Sequence, residues 1–212
     1  MSTAKRGPSN PPTCENILRG WDCASLMDYE DGASWYEDAN RIARECPLGP
    51  NVGAGILAAF SPMISWKRNV ELARAAWSKP LSPFPRNGPW KYTDAVRGHT
   101  SITCRKVEGM LRGLSPESLL RGHKVRAFYR AIRDSGTHHV VVDRHAVCVV
   151  AGRKSVNVAK LLSQYGYWGF VSAYCDAAAV LGVPPSVVQA VTWVTWRRTG
   201  RRDQPALFRR LT

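Results

Sequence analysis

Long apolar runs are missing from this chain. No window of its 212 residues approaches ~18 uninterrupted apolar positions, so no conventional membrane-spanning helix is expected. The first twelve residues, MSTAKRGPSNPP, lack the apolar stretch that a secretory signal needs, and they read as a disordered lead-in. Paired cysteines are missing as well. Cys14, Cys23, Cys46, Cys104, Cys148 and Cys175 show no C-x2-C or C-x2-H spacing, which argues against a zinc finger, and no set of His, Asp and Glu is spaced as metal ligands. Six reduced, mostly buried thiols in a cytoplasmic protein, with no metal and no cofactor, are the simplest expectation. Strand patterns are scarce too. Val140-Val141-Val142 is the one strong strand-like run, and a single run cannot make a sheet, so it reads as an extended buried linker.

Acidic residues thin out after residue 60. Residues 1–60 hold five Lys/Arg against eight Asp/Glu, whereas residues 61–212 hold 25 against eight. The whole chain carries +14, with a pI near 10.0. So lopsided an excess repels itself unless it meets a polyanion, and nucleic acid is the expected partner; charge that merely aids solubility is the alternative. A composition 44% hydrophobic and 22% charged is that of a folded globular chain, long enough for one large domain or two small ones.

What the sequence does contain is helix punctuation. Residues 34–46 open on Ser34 as a candidate cap, with Glu37 three residues later, and stop before Pro47. Residues 49–60 are nearly all apolar and predict a buried helix ending at Ser61-Pro62. Residues 65–79 place Trp66, Val70, Ala73 and Trp77 on one stripe, with Ser65 as cap and Pro80 as stop. Four prolines make residues 80–92 an irregular connection, and one helical turn is expected over 93–97. Helical spacing resumes over 101–111, with Gly113 as its stop. Ser115-Pro116 then begins a short helix over 116–121, which Gly122 breaks before a second helix over about 123–134. Further helices are expected over 157–164, 169–181 and 185–197, followed by a basic tail over 200–212. The fold class is therefore all-α, with one helical domain over residues 13–199.

Chemistry concentrates in residues 119–146, LLRGHKVRAFYRAIRDSGTHHVVVDRHA: a glycine-broken helix pair, a lysine opening the second helix, an apolar run, then Asp-x-His. This arrangement resembles the helix-hairpin-helix DNA glycosylase superfamily, whose hairpin reads G-V-G-x-K and is followed after one helix by V-D-x-H. Lys124 and Asp143 stand 19 positions apart, a spacing that family uses, and Val142-Asp143-Arg144-His145 matches its second motif. Of the two hairpin glycines only the second, Gly122, is present, and Arg121 occupies the turn. Residues 55–66, followed by Asn69-Val70, are similar to the helix, loop and helix that precede the hairpin. The small chain with its altered hairpin looks like phage-type members of the group, whose location would be the host cytoplasm.

The resemblance implies a two-lobed helical bundle that binds DNA and turns a base out of the stack. Asp143 would be the catalytic carboxylate and Lys124 the nucleophile, although Lys124 as a phosphate contact and Asp143 as a plain helix cap remain open. Arg121, Gly122, His123, Arg126, Arg144, Lys67 and Arg68 would meet DNA phosphate. Trp66 and His145 are candidates for the base pocket. Met63 falls where the family fills the hole left by the base; core packing is the commoner role for such a methionine, and a wedge between bases is the alternative. Trp193 and Trp196 lie three apart on the last helix, for core packing or for stacking on a base. Three functions follow: a DNA glycosylase, a phage enzyme of thymidine hypermodification on the same fold, or a DNA-binding phage protein without catalysis. Oligomeric state is not legible in the sequence.

Overall fold

A computed structural model describes residues 12–78, 99–153 and 156–199. Among these residues the chain is all-helical, with no strand, as its composition and punctuation predict. The helices are α1 (Glu15–Asp22), α2 (Leu26–Ala43), α3 (Pro50–Phe60), α4 (Trp66–Trp77), α5 (Ser101–Leu111), α6 (Pro116–Leu119), α7 (His123–Arg133), α8 (Arg144–Ala151), α9 (Val158–Leu181) and α10 (Pro185–Thr199). No single helix among them is long and apolar enough to cross a membrane. They group into two compact units: a central unit of residues 34–141, and a terminal unit that combines 12–33 with 142–199.

The central unit is built on α3, in which every residue from Gly53 to Phe60 is buried, and α4, α5, α6 and α7 all pack on it. Full burial of Ile56, Leu57 and Phe60 contributes roughly 1.5–3 kcal/mol each. The close packing depends on small residues: a Cβ at Gly53 would lie 2.1 Å from the Ala43 carbonyl oxygen, so any larger residue would force the end of α2 away. From α2, the Asn40 amide donates to the carbonyls of Ile132 and Arg133 at 2.9 and 3.0 Å, which satisfies the C-terminal end of α7. Val140 and Val141 then lie buried outside any helix or strand, as expected of a buried linker.

The terminal unit packs α1, α8, α9 and α10 around Tyr174 and Phe170. Its first turn of α2 is closed by a reciprocal cap. Ser25 N–H donates to Asp28 Oδ2 at 2.8 Å, and Asp28 N–H donates to Ser25 Oγ at 3.2 Å. Arg198 of α10 then donates through Nε to both Asp28 oxygens at 2.9 Å. Burial alone would raise the Asp28 carboxyl, but the hydrogen bonds from Arg198 and Ser25 outweigh it and hold the group below its ordinary value.

Several expected boundaries are corrected. Helix α2 begins at Leu26 rather than at residue 34, because the cap is Ser25 with Asp28; Ser34 lies inside the helix and its hydroxyl donates to Asp38. Helix α1 carried no expectation at all. Ser115 makes no side-chain cap, and the short helix ends at Leu119, two residues before its expected end. The expected helices over 157–164 and 169–181 form one element, bent where Gly166 takes φ 71° and ψ 161°. The expectations for residues 1–11, 80–97 and 200–212, including Pro80 as a stop, lie outside the described residues.

Candidate functional site

In the central unit the expected hairpin falls on α6, the turn Leu120-Arg121-Gly122, and α7. Leu120 is extended and fully buried, which pins the turn to the core. Gly122 has φ 81°, a conformation costly to any residue with a Cβ. It stands at the cap position of α7 and, being glycine, brings no side chain to cap that helix, whose N-terminus is the end that favours an anion. Arg121 and His123 are exposed and Lys124 is half-buried in the first turn. Arg126 is turned inward: its Nε donates to the Leu120 carbonyl at 3.0 Å, so it braces the turn. A two-pronged contact from Arg130 to Glu117, at 3.0 and 3.2 Å, ties α7 to α6. That contact holds the Glu117 carboxyl below its ordinary value despite partial burial.

The loop between α3 and α4 belongs to the same unit. Met63 is 99% exposed and has φ 68°, which excludes the core-packing role expected for it. Next to it, the Pro62 carbonyl accepts a 3.0 Å hydrogen bond from His99 Nε2, while His99 Nδ1 accepts from Thr100 N–H at 2.8 Å. The loop is thus held from behind while Met63 faces solvent. Ser65 caps α4 through Arg68 N–H, as expected. Lys67 and Arg68 are exposed, with Arg68 also 3.1 Å from Glu71. Trp66 is half-buried with ring centroids 5.0 Å from Trp35 and 6.3 Å from Phe128, which links the start of α4 to α7 one turn below Lys124.

In the terminal unit the motif Val142-Asp143-Arg144-His145 opens α8. Asp143 Oδ1 accepts from Ala146 N–H at 2.8 Å and caps the helix. Its other oxygen, Oδ2, accepts from the indole Nε1 of Trp193 in α10 at 3.2 Å. Val142 N–H donates to the Tyr167 hydroxyl at 3.1 Å, so the residue before the aspartate is fixed as well. Burial, with the Asp143 charge adding to it, pushes the Tyr167 hydroxyl up to about 12. His145 sits edge-on to Trp193 at 6.3 Å, and the Arg197 guanidinium lies 4.5 Å from the centre of that ring. Arg144 is exposed. Trp196 is buried and packs in the core, whereas Trp193 is only partly buried.

The pattern that defines a family of unknown function, DUF7178, matches residues 1–200. The chain belongs to the DUF7178 family. No curated protein and no solved structure matches it. In this DUF7178 chain Lys124 stands in the central unit and Asp143 in the terminal unit, each with its own neighbours. The central unit gathers Arg121, Gly122, His123, Lys124 and Arg126 on one turn, and Met63, Trp66, Lys67 and Arg68 on another. The terminal unit gathers Asp143, Arg144 and His145. Sequence reasoning missed Tyr167, Trp35 and His99, and it noticed Arg197 only as part of the basic end of the last helix. Only Tyr167 carried a signal, in that it follows the helix-breaking Gly166. Among the described residues no group of three or more His, Cys, Asp or Glu is placed to hold a metal.

Proposed function

We propose that this protein binds DNA and cleaves the N-glycosidic bond of a base turned out of the helix, by helix-hairpin-helix glycosylase chemistry. The observation that carries the reading is the Asp143 carboxylate, whose two oxygens are held by Ala146 N–H and Trp193 Nε1. Departure of a base builds positive charge on the sugar, and a carboxylate fixed in advance stabilises that charge without reorganising. Lys124 is the nucleophile: its amine bonds to C1′, the C1′–N bond breaks, and the base leaves with the electron pair. Loss of a proton and ring opening then give an imine between lysine and sugar. The N-terminus of α7 with Arg121, and the exposed Lys67, grip phosphate. Met63 enters the stack in place of the base.

Borohydride added during reaction with duplexes that carry modified bases, hypermodified thymines included, should trap a covalent protein–DNA adduct. Lys124→Gln should abolish trapping while most duplex affinity remains. Asp143→Asn should slow base loss strongly. Full activity in Asp143→Asn would refute the mechanism, and release or alteration of no base in the panel would leave a DNA-binding protein without catalysis.

A further inference from the structure

The Asp143 carboxylate has a partner that a helix cap does not require. Oδ1 alone caps α8, and the ordinary fate of the second oxygen is water. Here Oδ2 instead meets the indole N–H of Trp193, fifty residues away in sequence. That indole is itself held, with Arg197 4.5 Å from its ring centre and His145 edge-on at 6.3 Å. A cation over an aromatic ring draws electron density toward itself, which makes the ring N–H a stronger donor. From the other side, the residue before Asp143 is fixed by the bond from Val142 N–H to the Tyr167 hydroxyl. Two helices of the terminal unit, α8 and α10, therefore meet at one carboxylate, while α9 fixes the residue before it.

We propose that Trp193, backed by Arg197, is a positioning residue that locks the Asp143 carboxylate in the orientation that faces a developing sugar cation. The inference rests on the functional reading above and adds a role to a residue outside the motif. Trp193 does not touch the reacting atoms. It acts by removing the rotation of the carboxylate that would otherwise have to be frozen at the moment of reaction.

The test compares binding of the full-length protein to two duplexes, one with a cationic pyrrolidine abasic analogue and one with a neutral tetrahydrofuran analogue. The wild type should prefer the cation by at least tenfold. Trp193→Phe keeps the ring and removes the N–H; it should lose about tenfold of that preference, as expected for a hydrogen bond to a charged group, while its affinity for the neutral duplex stays within twofold. A Trp193→Phe protein that keeps the full preference overturns the positioning role and leaves the glycosylase reading standing. A wild type with no preference overturns both. If Trp193→Phe does not fold, the indole N–H resonance of Trp193 decides. It should move on Asp143→Asn, and a resonance that stays in place overturns the inference.

Discussion

Replacing Met63 with glycine should stabilise the protein and weaken its hold on DNA. Met63 is 99% exposed, so deleting its side chain removes no packing. Its φ of 68° is one that an L-residue pays about 1–2 kcal/mol to adopt, and glycine adopts it freely. Against that, glycine adds roughly 0.5–1 kcal/mol of entropy to the unfolded chain, which leaves a net gain of about 0.5–1 kcal/mol. With a urea m-value of about 2 kcal/mol/M, the midpoint should rise by roughly 0.3–0.5 M at unchanged m. The same variant should lose about tenfold in affinity for a duplex with a mispaired 2-aminopurine, and should quench the fluorescence gained when that base leaves the stack, because the wedge offsets unstacking that costs a few kcal/mol per step. Met63→Ala separates the two effects, since it removes the wedge but keeps the backbone cost. Destabilisation of Met63→Gly by more than about 1 kcal/mol would mean that the side chain packs against something. Unchanged DNA affinity and fluorescence would mean that the exposed methionine has no part in binding.

Gly122→Ala should cost about 1–2 kcal/mol through the backbone alone, since nothing lies within 4 Å of the added Cβ, and should weaken duplex binding; a thermal midpoint equal to wild type would show that the turn can relax. Duplex binding should be insensitive to sequence, with a slope of log K against log salt of about −5 for six neutralised phosphates, and a flat response would remove nucleic acid as the partner. Asp134 is held down to about 2 by its hydrogen bond from Arg133, against some desolvation and with help from His139. A carboxyl depressed on folding contributes stability that is fully present above its unfolded value and is lost as pH falls toward about 2. Acid titration of Asp134→Asn should therefore show a shallower loss of stability below about pH 4 than wild type, and parallel curves would refute that assignment.

Elements whose signals are local were legible in the sequence. Helix α3 is apolar from Gly53 to Phe60 because it is buried there, and the Ser65 cap of α4 is read from its own first turn. The start of α2 was not. Ser34 looks like a fresh cap, and Gly32 just before it is a poor helix former. Gly32 instead serves close packing: a Cβ there would lie 2.5 Å from Val191 Cα, so α10 could not approach a larger residue. Helix propensity counts the cost of such a glycine and cannot see the helix that it admits.

The same division runs through the candidate site. The hairpin turn and the Asp143 cap rest on contacts over three to six residues, so a local motif and the resemblance it carries were enough to propose them. Met63 departs from the commoner core-packing role of a methionine and stands exposed. Beside it, the Pro62 carbonyl is tied to His99 by a contact across 37 residues, which no local pattern displays. The second oxygen of Asp143 is the sharper case. In the sequence Trp193 is one of two tryptophans on a helix with a basic end, and nothing local separates it from Trp196. Folding separates them: Trp196 turns into the core, while Trp193 turns its N–H to a carboxylate fifty residues earlier. A helix cap needs one oxygen, and a motif search stops there. The pairing of the other oxygen is a long-range fact, and it is where the structure adds to what the motif implies.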